Sequence, residues 1–209
     1  DYQKILQKFW GYPEFRPLQL EIIESVAAKR DTLGLLPTGG GKSLTFQVYS
    51  LSVEGMCLVI TPLIALMKDQ VENLRNRGIK ALSIYSGMSA LEIQTTLDNA
   101  VWGAYKFLYV SPERLESERF IERLIKMKIN LITVDEAHCI SQWGYDFRPS
   151  YLKIAELRRL LPGITVLALT ATATPVVSLD IQEKLLFSEK NLLSMSFSRP
   201  NLAYMVREK

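Results

Sequence analysis

Thiols, imidazoles and long apolar runs are scarce in this 209-residue chain, and each scarcity removes a class of protein. Its two cysteines, Cys57 and Cys139, stand 82 positions apart without CxxC spacing, and its one histidine is His138. Neither a disulfide framework nor a zinc site can be assembled from them. A reducing intracellular compartment is therefore expected: cytoplasm or nucleoid in a bacterium, nucleus in a eukaryote. No uninterrupted apolar stretch approaches the roughly 18 to 20 residues of a membrane span, and the opening DYQKILQKFW lacks the order of a secretory signal. No membrane partner is expected. Charge of one sign is missing too, since 25 Lys and Arg face 22 Asp and Glu, and +3 is too mild to announce nucleic acid by itself. Internal repeats, charge blocks and low-complexity linkers are also absent. What is present, 48% hydrophobic and 22% charged residues, suffices for one folded core. A first residue of Asp rather than Met points to a piece of a longer polypeptide.

Short β-branched or Leu-rich runs alternate with longer segments of helical period, the order that builds a parallel sheet covered by helices on both faces. The fold class expected is α/β. Strands are read at Thr32 to Leu36, Cys57 to Thr61, Ala81 to Ile84, Phe107 to Val110, Leu131 to Val134 and Val166 to Thr170. Several are apolar at consecutive positions, as strands buried on both faces are. Helices are read at Pro17 to Lys29, Ser43 to Leu51, Ile64 to Asn76, Ala90 to Val101, Tyr151 to Leu161 and Pro175 to Leu186. Pro17 is suited to a first helical position, Ser89 with Glu92 makes a capping box, and Thr174 before Pro175 is a cap followed by a first turn.

Two motifs carry chemistry. The first strand runs into Pro37, Thr38, Gly39, Gly40, Gly41, Lys42 and Ser43, where helical period begins. Glycines at a strand-to-helix turn let backbone N–H groups point inward, and the helix dipole favours an anion there. Lys42 can then reach the β and γ phosphates and Ser43 can ligate Mg²⁺. The usual pattern GxxxxGK[ST] departs at one place, where Leu36 stands for glycine. The second motif is an apolar strand that delivers Asp135 and Glu136 at its C-terminal end, where ligands bind in open parallel sheets. Asp135 is placed to hold Mg²⁺, and Glu136 to orient or deprotonate the attacking water. The plainer reading is that both acids cap the next helix. His138 next to them is either a hydrogen-bonded structural residue or a relay of nucleotide state.

TGGGKS together with DEAH resembles the signature of superfamily 2 helicases, and the surrounding residues resemble the first motor domain of the RecQ family of DNA helicases over nearly the whole length. FGYxxFRPxQ in that family is similar to Phe9, Gly11, Tyr12, Phe15, Arg16, Pro17 and Gln19, with Trp10 interposed. The resemblance implies that Tyr12 stacks on adenine while Arg16 and Gln19 recognise it; read from the residues alone, Tyr12 and Phe15 could simply staple a helix start. TPLIALMKDQ (Thr61 to Gln70) and SPERL (Ser111 to Leu115) resemble segments that lie along a single strand, although Lys68 and Arg114 are equally readable as solvated charge. SQWGYDFRP (Ser141 to Pro149) resembles the aromatic loop that couples DNA binding to ATP hydrolysis. Within and beside it Gln142, Trp143, Tyr145, Phe147, Arg148 and Tyr151 would form a stacking and cation–π platform, core packing being the alternative. Thr170 and Thr172 of TATAT resemble the motif linking two motor halves, and Thr–Ala alternation can equally be a strand end plus helix cap.

The resemblance implies an ATP- and Mg²⁺-dependent RecA-like P-loop NTPase domain, an enzyme moving 3′ to 5′ on single-stranded and partially duplex DNA in recombination or repair. It divides the chain into residues 1–30, a helical segment with the adenine motif; 31–197, the first RecA-like domain; and 198–209, the start of a linker at Arg199, Pro200 and Asn201. A second RecA-like domain would be the partner, supplying an arginine finger typically worth ~10³ to 10⁵ in turnover, so that this piece alone should hydrolyse poorly. The rival readings are another superfamily 2 motor, acting on RNA or duplex DNA, and an inert nucleotide-binding scaffold.

Overall fold

The computed structural model describes residues 1–195; the linker read at 198–209 lies outside them. Seven parallel strands form one sheet in the order β3-β4-β2-β5-β6-β1-β7. They are β1 (Thr32–Leu35), β2 (Met56–Ile60), β3 (Ala81–Ile84), β4 (Phe107–Val110), β5 (Ile129–Val134), β6 (Val166–Thr170) and β7 (Leu192–Ser194). The described residues also form eight α-helices, two before β1 and six between strands: α1 (Tyr2–Trp10), α2 (Gln19–Ala27), α3 (Lys42–Ser52), α4 (Ile64–Asn76), α5 (Ala90–Trp102), α6 (Glu118–Leu124), α7 (Lys153–Leu160) and α8 (Pro175–Lys184).

Alternation along each central strand divides the core into two layers. Cys57 and Val59 of β2 and Phe107 and Tyr109 of β4 pack on one face with Leu6, Ile22, Phe46 and Met67, which come from α1, α2, α3 and α4. Met56, Leu58 and Ile60, with Leu108 and Val110, face Leu97, Phe120, Ile154 and Ile181 from α5 to α8. Helices therefore cover both faces, as the consecutive apolar positions require. The relevant consequence is that β1 and β5, separated only by β6, open their C-terminal ends on the same edge.

Most elements fall within a residue or two of the sequence reading. The capping box is complete: Ser89 Oγ accepts from Glu92 N at 3.2 Å, and Ser89 N donates to Glu92 Oε2 at 2.7 Å. Thr174 Oγ1 accepts from Val177 N at 3.3 Å, with Pro175 opening α8. Two expectations are corrected. Pro17 does not open a helix, because Leu18 turns into the left-handed region (φ 72°) and α2 begins at Gln19. The segment from Tyr151 starts as a 3-10 turn, Pro149–Leu152, and becomes α-helical only at Lys153. Helix α6 and the short edge strand β7 have no counterpart in the sequence reading, both being too short for periodicity to separate from a loop.

Candidate active site

The turn after β1 is built around glycine for two separate reasons. Gly39 and Gly41 have φ of 77° and 73°, which an L side chain adopts only with strain. At Gly41 a Cβ would also lie 2.4 Å from Gln19 Nε2, so the Gln19 amide would have to shift to admit one. Gln19 is buried beneath the loop: its Nε2 donates to Gly40 O (3.2 Å) and Gly41 O (3.0 Å), and its Oε1 accepts from Arg16 N (2.9 Å). Arg16 Nη1 donates to Gly39 O at 2.5 Å. The two residues read as adenine contacts thus brace the loop backbone in this structure, and Gln19 does not line the cavity above it. Lys42 and Ser43 open α3, both half-buried, where the free N–H groups of the first turn face outward.

Above this turn lies a cavity of about 540 Å³. Tyr12 and Arg16 wall one side; Thr38, Gly39, Gly41, Lys42 and Ser43 form the loop side; Asp135 and Glu136 close the end. Gly40 lies within the same turn, its N–H donating to Pro37 O at 2.9 Å. Sequence reasoning missed a further wall, the α4 side chains Leu66, Gln70 and Asn73 with Arg77 just past its end, together with Gln47 of α3. Their positions recur at helical spacing, yet nothing local shows which way that face of α4 turns.

Asp135 is 8% exposed at the end of β5. Its Oδ1 accepts from Glu136 N (3.0 Å), its Oδ2 accepts from Thr61 Oγ1 (3.3 Å), and its carbonyl accepts from the buried hydroxyl of Tyr151 (2.9 Å). Burial, and next the adjacent Glu136 charge, push its carboxyl up to about 6, while Lys42 pulls the other way. Tyr151, read as part of the aromatic platform, is instead fully buried and holds the acidic turn, so that expectation is corrected. Glu136 occupies the left-handed region (φ 48°), a strained backbone that the reading as a helix cap does not explain, since its side chain makes no cap hydrogen bond.

From Glu136 the polar contacts continue sideways. Glu136 Oε2 lies 3.4 Å from His138 Nδ1, and that nitrogen lies 2.8 Å from Thr170 Oγ1 at the end of β6. Because the Thr170 hydroxyl donates to Thr172 O (3.3 Å) while Thr172 N donates back to it, the imidazole Nδ1–H is the remaining donor. Burial lowers the imidazole's proton affinity, against the opposing pull of Asp146 and Asp135. Tyr145 stacks on His138 with centroids 4.8 Å apart and planes at 21°.

Trp143 and Tyr145 are 75% and 79% exposed, which removes core packing as the reason for them. Beneath them a hollow of about 500 Å³ runs from His138 to Thr172, Thr174 and Val177. Gln142 is exposed and Phe147 half-buried. The expected cation–π partner is different from the one found: Arg148 Nε and Nη2 fork onto Asp146 Oδ2 (3.3 and 3.2 Å), whereas Lys184 Nζ sits 5.7 Å from the Phe147 ring. In SPERL, Ser111 Oγ and Arg114 Nε are buried without a protein partner.

The model of the DEAD/DEAH box helicases matches residues 16–179. The chain belongs to that family. It is 47% identical to the ATP-dependent DNA helicase RecQ of Bacillus subtilis over 98% of this chain and 35% of the relative. It is 42% identical to the rat ATP-dependent DNA helicase Q1 over 98% and 34%. Similarity thus extends to RecQ helicases of bacteria and eukaryotes, and the chain spans about a third of the length of these curated relatives. Among solved structures, the helicase domain of Pyrococcus furiosus Hef covers 86% of this chain and 38% of its own, with TM-score 0.66 and 22% identity. The helicase MrfA bound to DNA covers 93% and 29%, with TM-score 0.69 and 18% identity. Both show the RecA-like helicase fold. No described helix is long and apolar enough to cross a membrane.

Proposed function

We propose that this chain is the ATP-binding motor domain of a RecQ-type, ATP-dependent DNA helicase that moves 3′ to 5′ on single-stranded DNA. The observation that carries the reading is the single cavity bounded by the glycine turn with Lys42, by Tyr12, and by the Asp135–Glu136 pair. A triphosphate in it would meet the N–H groups and ammonium at one end and two acids at the other. The residues fit a divalent cation, because the Ser43 hydroxyl and the Asp135 carboxylate are hard oxygen donors lining one cavity. Ser43 and Asp135 would hold Mg²⁺, which when bound supplies charge neutralisation at the phosphates. Glu136 is left to orient and deprotonate the attacking water.

The path Glu136, His138, Thr170, Thr172 would report nucleotide state to the loop bearing Trp143 and Tyr145, whose exposed rings suit stacking on unpaired bases. Thr61 to Gln70 and Ser111 to Leu115 would follow the strand's phosphates. A second RecA-like domain of the same polypeptide would close over the cavity, and the setting would be intracellular DNA recombination or repair.

The test is ATP hydrolysis by the complete native polypeptide with single-stranded DNA, duplex DNA or RNA. Lys42→Ala is expected to cut DNA-stimulated turnover by at least ~100-fold without changing the unfolding midpoint. Turnover that survives in the folded variant, or equal stimulation by RNA, overturns the reading.

A further inference from the structure

Tyr109 of β4 is fully buried, yet its hydroxyl is bound on both sides. It accepts from Gln47 Nε2 at 3.2 Å and donates to Gln70 Oε1 at 3.0 Å. Gln47 lies on α3, just beyond Lys42 and Ser43; Gln70 lies on α4, at the end of the segment read as a DNA track. Both glutamines also line the 540 Å³ cavity, so one bridge of three side chains ties the phosphate-loop helix to α4 through a central strand.

The chemistry of that bridge is directional. A phenolic hydroxyl has one hydrogen, so it donates to one amide and accepts from the other. One glutamine must then turn its N toward Tyr109 and the other its O, and the atoms left over, an acceptor at one glutamine and a donor at the other, are opposite in kind. Reversing the hydroxyl reverses both amides together. Two arrangements of the same three side chains, each fully hydrogen-bonded at the centre, make a two-state element, and a group in the cavity that bonds the free atom of Gln47 selects one of them. Burial keeps the phenol protonated, so the single hydrogen is never lost.

We propose that Gln47, Tyr109 and Gln70 form a reversible hydrogen-bond relay through which occupancy of the nucleotide cavity sets the amide orientation of Gln70, and with it the DNA-facing state of α4. The proposal rests on the helicase reading above. In it Tyr109 and Gln70 are positioning residues, and the relay is separate from the Glu136–His138–Thr170 path, which leaves the cavity from the opposite side of β5. A coupling of this kind needs an element with two discrete states that both sites bias, and the bridge supplies one.

Gln70→Glu separates relay from scaffold. A carboxylate at 70 accepts from Tyr109 just as the amide does, so the bridge, the packing and the contact to Gln47 all persist. It cannot donate, so the reversed arrangement is closed. The measurement is the dissociation constant for fluorescent single-stranded DNA, with and without a nonhydrolysable ATP analogue at a concentration shown by direct titration to saturate each variant, on the complete native polypeptide at pH 8. The ratio of the two constants is expected to differ from one by about 5- to 150-fold in the wild type. It should fall to within about twofold of one in Gln70→Glu and also in Gln70→Ala, which breaks the bridge from a half-buried position. A wild-type ratio in folded Gln70→Glu overturns the relay and leaves the helicase reading standing. A wild type whose DNA affinity ignores nucleotide overturns the relay and leaves the helicase reading standing, and one that binds neither overturns both.

Discussion

Asp31 and Asp135 sit at opposite ends of the sheet, 6% and 8% exposed, and differ in what surrounds them. Asp31 precedes β1. Its Oδ2 receives Arg158 Nη2 (2.8 Å) and Ser188 N (3.4 Å), and its Oδ1 receives Val166 N (2.9 Å). The same guanidinium reaches the carbonyls of Leu185 (2.5 Å) and Leu186 (2.9 Å) beyond α8. Asn191 adds bonds to Ser25 Oγ and Asp31 O, both 2.9 Å, so the N-terminal edge is a closed polar network. Asp135 has one hydroxyl and its neighbour's amide, a second carboxylate adjacent, and no guanidinium among the described residues. One buried charge is compensated within the fold; the other is left short of positive charge.

The comparison can be broken most forcefully at Arg158. Arg158→Met leaves Asp31 buried without its counter-charge and should destabilise the domain by about 3 to 5 kcal/mol in urea denaturation. A loss under about 1 kcal/mol would mean that the two backbone amides alone hold that edge.

Asp135→Asn should move stability the other way. The native state raises this carboxyl from 3.8 to about 6, so between those values the folded protein binds more protons than the unfolded one, and stability falls as pH rises through that window. Above it the ionised carboxylate costs about 2 to 3 kcal/mol, which the amide removes. The variant's melting point should therefore exceed that of the wild type at pH 7.5, with the gap closing towards pH 4. An identical gap at both pH values would show that Asp135 is not the group responsible.

Thr61→Val sharpens the contrast by a smaller amount. It deletes the hydroxyl that donates to ionised Asp135 and keeps the side-chain shape, so it should cost about 1 kcal/mol at pH 8. At pH 4, where the carboxyl is neutral, the cost should shrink. A cost independent of pH would assign Thr61 to packing alone.

The glycine turn, the acidic pair and six strands were readable before any coordinates, because each is written in consecutive residues or in a period of two. The placement of other side chains depends on partners and burial that sequence order does not specify. Tyr151 shares composition with the exposed loop at Trp143 and Tyr145, yet lies inside, bonded to Asp135 O. Arg148 sits among aromatics in sequence but spends its guanidinium on Asp146. Gln19 carries the right amide for a base and uses it on Gly40 and Gly41.

Local sequence determined the kind of chemistry, since a lysine at a helix start after glycines and two acids at a strand end are set by covalent neighbourhood and backbone geometry. Tertiary structure alone decided which side chains serve that chemistry and which hold the scaffold. The strand order β3-β4-β2-β5-β6-β1-β7 brings residue 31 to 158, 47 to 109 and 138 to 170. Burial then fixes whether each charge or hydroxyl so placed is paired or left available, and no run of adjacent residues encodes that burial.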